Sequence, residues 1–327
     1  MSSSIIGIDV AKSTLDVALL KDERLYHQQF ANTDSGYPQI MVWMGRYGVD
    51  QAHVCLEATG QYGDGVAEYL YAHGQEVSVI NPARIKHYGS SKLRRIKTDK
   101  ADAQLIAEYG QREKPELWTP PSAAFKDLQA MVRHLDDLQA QRLQDTNRLS
   151  SGVHTPLVVE QLKALVAFVE SQIQQTKKGI QAHIQSFPEL KHAQDLLVTI
   201  PGIAQLTAAR LLGEIRDFHQ FDSARQLAAY AGLTPRVFLS GTSVHKKSRL
   251  SKTGNANLRK ALYMPAISAK RWNPIIHVFC ERLIQSGHKP MEVICAAMRK
   301  LLHLAFGVLK SNKPFDPNIL VNVQVTS

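Results

Sequence analysis

Between residues 4 and 81 the chain alternates short apolar runs with stretches of helical period, and few folds accommodate that pattern. SIIGID (4–9), LDVALL (15–20) and RLYHQQF (24–30) read as three strands joined by short turns, an antiparallel meander. A helical stretch at 34–46, an apolar strand HVCLEAT at 53–59, a helix at 62–73 and a strand EVSVIN at 76–81 follow. Strands interleaved with helices bury both faces of a sheet, so this part is expected to be an α/β layer structure. Pro115, Pro120 and Pro121 then punctuate the chain, and the first domain is expected to end there, at about residue 118.

Beyond the prolines the period changes. From Ser122 to about Leu149 apolar residues recur as Phe125, Leu128, Met131/Val132, Leu135, Leu138 and Leu143, the spacing of a long amphipathic helix. A second runs from about Val158 to Ile184, with Leu162, Leu165/Val166, Val169, Ile173 and Ile180, and SGVHTP (151–156) separates the two. We expect a helical, coiled-coil-like connector over 119–188; such patterning fits an intramolecular hairpin or an intermolecular pair. A mainly α C-terminal domain over 189–327 follows. In it IPGIAQLTAARLLGEI resembles a helix-hairpin-helix, although a tight turn between two core helices gives the same pattern.

Charge narrows the partner. The 327 residues carry a net charge of +10, which favours polyanions through phosphate contacts and counterion release. Two segments concentrate it. Arg84, Lys86, Lys92, Arg94, Arg95 and Lys97 stand in RIKHYGSSKLRRIK without an acid, a segment expected to be a loop. From Arg236 to Arg271 there are nine Lys/Arg and no Asp or Glu, among them Arg236, Lys246, Lys247, Arg249, Lys252 and Arg259. A soluble surface normally mixes both signs, so these residues are the expected nucleic-acid contacts. No run approaches the roughly 20 apolar residues of a membrane span, and the N-terminus lacks signal-peptide features; a cytoplasmic, nucleoid-associated protein without a membrane partner is expected. Cys55, Cys280 and Cys295 lack metal-ligand spacing and read as small core residues.

Four acids are conspicuous. Asp9 closes the first strand, Glu57 the fourth, and Asp99 and Asp102 lie three apart in KTDKADAQLIAEYG, on one face of a helix start. Carboxylates at strand ends and a helix start suit Mg2+ or Mn2+, hard ions that take oxygen ligands. Two such ions would clamp the attacking and leaving oxygens of a phosphodiester. The bland alternative for Asp99 and Asp102 is favourable interaction with the helix dipole. Asp9 resists such a reading, because a carboxylate at a sheet end is costly without a cation. In LSGTSVHKKSRLSKTG (239–254), Ser240 opens a basic loop after the strand RVFL, and the residues alone favour a Ser-Gly turn.

Taken together, GIDVAKSTLDVAL, LEATGQYG and KTDKADAQLIAEYG resemble, in motif order, the DEDD group of ribonuclease-H-like, RuvC-type nucleases: the Piv invertase and insertion-sequence 110 transposase family. IPGIAQLTAARLLGEI, AAYAGLTP and SGTSVHKKSRLSKTGNANLRKALY resemble that family's C-terminal transposase domain, so the likeness spans nearly the whole chain. The resemblance implies a RuvC-like N-terminal domain whose Asp9, Glu57, Asp99 and Asp102 ligate Mg2+ (or Mn2+), with Ser240 as the nucleophile that forms a phosphoserine link to DNA. It also implies target and donor DNA, a structured guide (bridge) RNA and a homo-oligomer, dimer or tetramer, whose acids and serine meet from different subunits. Two other readings compete: a hydrolytic, structure-specific RuvC-like nuclease in which Ser240 is a turn residue, and a non-catalytic nucleic-acid scaffold.

Overall fold

The computed structural model describes residues 4–58, 61–92, 98–152, 155–218, 220–240, 244–251 and 253–318. They fall into two compact units, Met1–Pro120 and Pro121–Ser327.

In the first unit β1 (Ile5–Val10), β2 (Thr14–Lys21) and β3 (Arg24–Ala31) form the expected meander. After α1 (Tyr37–Arg46), β4 (His53–Glu57) joins parallel to β1; after α2 (Gln61–Ala72), β5 (Glu76–Ile80) joins parallel to β4. The sheet order is β3-β2-β1-β4-β5. Two-residue alternation sorts its faces. Ile6, Ile8, Leu15, Val17, Val54 and Leu56 enter one core with Ile40, Trp43 and Met44 of α1 and Val66 and Leu70 of α2. The opposite face is covered by α4 (Asp99–Glu113), with Ile5 and Ala18 against Ala103 and Ala107.

Gly7 makes that cover possible. A Cβ there would lie 2.2 Å from the Ala103 carbonyl oxygen and 2.3 Å from the Ala107 nitrogen, so α4 lies directly on β1 and only glycine fits beneath it. The expected basic loop 84–97 begins instead as a helix, α3 (Pro82–Ser91). Asn81 caps it, its side chain accepting from the Ala83 N–H at 2.9 Å, and Pro82 occupies the first turn. A satisfied cap and a proline suited to the first turn outweigh the repulsion of exposed lysines and arginines. Arg94, Arg95 and Lys97 lie outside the described residues.

The second unit opens with α5 (Ala123–Ser150) and α6 (Pro156–Ser186), an antiparallel pair within one chain: His183 bonds the Ala124 carbonyl at one end and Arg142 meets Glu170 further out. The segment expected as a separate connector shares its core with the C-terminal helices. Leu128, Val132, Leu135, Ile173, Ile180 and Ile184 belong to the cluster that includes Leu211 and Leu212 of α8 (Gln205–Ile215), Leu262 of α10 (Ala256–Trp272) and Leu301 and Leu302 of α12 (Pro290–Ser311). Leu143, placed on the buried stripe by its spacing, is 60% exposed, as is Phe168 at 61%. They lie on the outer half of the pair, where the described residues bury few apolar side chains.

α7 (Pro188–Val198) and α8 flank the Pro201-Gly202 turn, and α9 (Ala224–Tyr230) and α11 (Pro274–Gln285) complete the helices. The turn is bedded on α10: Gly202 has φ +105°, its Cβ would come 2.6 Å from the Ala269 Cβ, and Asn273 donates to the Pro201 carbonyl at 3.3 Å. The turn thus packs into the core against α10. The mainly α domain also carries a β-hairpin. The expected strand RVFL lies in β6 (Pro235–Ser240), and part of the basic segment expected as a loop is its hairpin partner β7 (Val244–Leu250), with Ser240 opposite Val244. An apolar strand needs backbone partners, and the next stretch of chain supplies them even though its side chains are mostly polar.

Candidate active site

Asp9 follows Gly7 by two residues, so it shares the face beneath α4, as does Glu57, two after Cys55. α4 begins beside them. Thr98 caps it, accepting from the Ala101 N–H at 3.2 Å, which puts Asp99 and Asp102 in the first turn and Ala103 on Gly7. The packing of α4 on β1 therefore gathers the four acids around the end of the first strand. Asp9 is half-buried, and its carboxyl is pushed up to about 6, first by burial and then by the charges of Asp102, Asp99, Glu57 and Asp16.

Asp16 went unnoticed in the sequence. On β2 it stands opposite Asp9 of β1, is 5% exposed, and receives hydrogen bonds from His27 Nε2 at 2.8 Å and Gln29 Nε2 at 2.9 Å. The signal was the alternation of LDVALL, which puts Asp16 on the face opposite Leu15 and Val17.

Carboxylate oxygens carrying concentrated negative charge are the donors a hard divalent ion selects, and such an ion would offset both the burial and the neighbouring charges that raise the Asp9 carboxyl. Charge and donor chemistry fit. Ligating distances are not formed: among the described residues no group of three His, Cys, Asp or Glu side chains is gathered tightly enough to hold an ion.

The remaining expected residues separate into three sets. Arg84 and Lys86 are exposed on α3. Lys92 is instead tied to Glu108 of α4 and lies over the Tyr88 ring at 5.0 Å. Arg259 likewise serves the fold, its guanidinium donating to the Ala231 carbonyl at 3.0 Å and the Gly254 carbonyl at 3.2 Å. Ser240 ends β6, with Arg236 on the same strand and Lys246, Lys247 and Arg249 on β7. Residues 241–243 and Lys252 lie outside the described residues. None of the cysteines forms a disulfide: Cys55 and Cys280 are buried, the Cys55 thiol pushed up to about 12 by burial, and Cys295 is half-buried. Among the described residues no helix is long and apolar enough to cross a membrane.

Residues 6–155 match the transposase model of the DEDD IS110 type, and residues 194–281 match the model of the transposase IS116/IS110/IS902 family. The pilin gene-inverting proteins of Moraxella bovis and Moraxella lacunata are each 36% identical over 324 residues, 98% of this chain and 99% of theirs. The transposase for insertion sequence element IS1328 of Yersinia enterocolitica is 26% identical over 77% of this chain and 82% of its own. Among solved structures, T. thermophilus RuvC in complex with Holliday junction substrate aligns with 36% of this chain and 99% of its own at 12% identity and a TM-score of 0.28, a distant likeness.

The class is that of DNA transposases and recombinases. The chain belongs to the IS116/IS110/IS902 transposase family, together with the pilin gene-inverting proteins.

Proposed function

We propose that this transposase cuts and rejoins DNA strands through a covalent phosphoserine at Ser240, with Asp9, Glu57, Asp99 and Asp102 forming the metal centre. The observation that carries the reading is the gathering of those acids around Asp9, whose carboxyl their charges and burial push up to about 6. They would hold Mg2+ (or Mn2+), which when bound draws charge from a scissile phosphate.

Ser240 Oγ loses its proton and bonds to phosphorus, while the deoxyribose oxygen leaves with its electron pair and takes up a proton. In rejoining, a deoxyribose hydroxyl attacks the same phosphorus and Ser240 departs. The phosphodiester energy is kept in the link, so no nucleotide hydrolysis is needed. Arg236, Lys246, Lys247, Arg249 and Lys252 flank the serine and supply phosphate contacts; Arg84, Lys86, Arg94, Arg95 and Lys97 do so on the first unit. The partners are target and donor DNA and a structured guide RNA that reads sequence by pairing. A homo-oligomer is expected, since several strands must be exchanged.

The test uses the purified protein with its co-purifying RNA, Mg2+ and a DNA carrying the element's junction. Cleavage lost in Asp9→Asn and Asp102→Asn removes the scaffold reading. Cleavage that persists in Ser240→Ala without attached protein establishes the hydrolytic nuclease instead.

A further inference from the structure

A two-stranded hairpin is marginal by itself, and β6 and β7 form a sheet of their own. Ser240 stands at the far end of a six-residue strand, about 17 Å from its foot at roughly 3.3 Å per residue. A tilt of about 5° at the feet would displace the tip by about 1.5 Å, enough to spoil an attack geometry. Whatever holds the feet therefore sets where the serine goes.

Just beyond the feet, the flanking segments of chain are tied by a network centred on a buried carboxylate. Ser251 donates its N–H to Thr234 O at 2.9 Å, and Asn255 donates its own to Tyr230 O at 2.8 Å. Gly254 fits between them at φ +135°, where a Cβ would come 2.2 Å from Tyr230 O. The Asn255 side chain faces two ways. Its Oδ1 accepts from the Leu258 N–H at 2.9 Å, capping α10, and its Nδ2 donates to Glu214 Oε2 at 2.8 Å. Tyr230 also donates to the Glu214 carbonyl at 3.4 Å.

Glu214, on α8, is only 3% exposed. Arg133 of α5 grips it with two bonds, Nε to Oε1 at 2.8 Å and Nη2 to Oε2 at 3.0 Å. Burial pushes the Glu214 carboxyl up, and the Arg133 and Asn255 hydrogen bonds outweigh burial and leave it below the ordinary glutamate range. A buried ion pair is weak support for stability taken alone; here it fastens the hairpin's feet to the long helix α5.

We infer that Glu214, held by Arg133 and bonded to Asn255, is the positioning residue that aims the β6/β7 hairpin, and hence Ser240, in strand attack. The inference rests on Ser240 being the nucleophile. Glu214 touches no substrate; it acts through the hairpin's feet.

The test is single-turnover formation of the protein–DNA adduct on junction DNA with the co-purifying RNA and Mg2+, alongside DNA affinity and the thermal midpoint. Asn255→Ser keeps a side-chain oxygen to cap α10 but is too short to reach Glu214. Glu214→Gln keeps an acceptor for Asn255 but loses the charge that holds Arg133. Val293→Ala, in the α12 core, lowers stability without touching the network.

Adduct formation is expected to slow by roughly tenfold or more in Asn255→Ser and Glu214→Gln, with DNA affinity within about twofold of wild type. Val293→Ala should keep its rate at a comparable or lower midpoint. Wild-type rates in both network variants, or a loss in all three that follows the midpoint, would overturn the positioning role. A wild-type protein that cleaves without any adduct defeats the Ser240 reading instead, and is told apart because no variant is needed to see it.

Discussion

The acid-bearing sheet and the serine-bearing hairpin hold the residues proposed for catalysis by opposite means. Asp9, Glu57, Asp99 and Asp102 are fixed by layer packing: α4 lies on β1 so closely that Gly7 admits no side chain, and the acids follow from where the helix starts. Ser240 rides on two paired strands fastened at one end by Glu214, Arg133 and Asn255. In the proposed chemistry the acids receive an ion and need rigid walls, whereas a serine that attacks and later departs is better carried on a lever with a firm base.

That contrast can be broken at several points. The largest effects fall on chemistry. Asp9→Asn and Ser240→Ala are each expected to reduce strand cleavage and joining by roughly 10^4-fold or more. The fold should survive, and Asp9→Asn should raise the thermal midpoint, because it removes a half-buried charge that its neighbours repel. An Asp9→Asn protein that melts lower would mean that the carboxylate serves the fold.

Next comes the base of the lever. Glu214→Ala takes the buried carboxylate away from Arg133 and Asn255, a loss of about 3–5 kcal/mol by denaturant unfolding. The sign of its pH dependence follows from a carboxyl held below its unfolded value: its contribution is present above the ordinary glutamate range and lost as pH falls below it. The acid limb of the stability profile should therefore flatten in Glu214→Ala. An unchanged limb would rule out the ion pair as the fastening.

Gly7→Ala tests the other region. Its methyl must push α4 away from β1, at about 1–3 kcal/mol or more, and the thermal midpoint should fall with metal affinity measured by calorimetry on the same protein. Normal metal binding at reduced stability would separate the acids from the packing. The smallest effect is expected of Thr98→Ala, which removes the α4 cap at about 1 kcal/mol and should weaken metal binding only slightly.

Much of the first region was legible in the sequence, because alternating apolar residues state both the strand and its face, and acids at strand ends break that pattern visibly. Asp16 was less so, since alternation gives its face but not its burial or its partners, His27 and Gln29 of β3. The second region was harder. β7 has the composition of a solvated loop, and its strand form comes from pairing with β6. Glu214 reads as one polar residue at the end of a helix, because the residues that make it a hub, Arg133 and Asn255, are 81 and 41 positions away. The intramolecular partners of Arg259 and Lys92, carbonyls near the hairpin base and Glu108, are likewise distant in sequence and do not show in charge alone.

The most direct measurement of the division of labour is the identity of the atom joined to DNA. Wild-type protein, Asp9→Asn and Ser240→Ala would each be incubated with junction DNA, the co-purifying RNA and Mg2+, denatured, digested with protease and mapped by mass spectrometry. A nucleotide attached to Ser240 in the wild type, and to no residue in either variant, is the predicted result. Cleaved DNA with free ends and no attached peptide, or an adduct on any other residue, would contradict it.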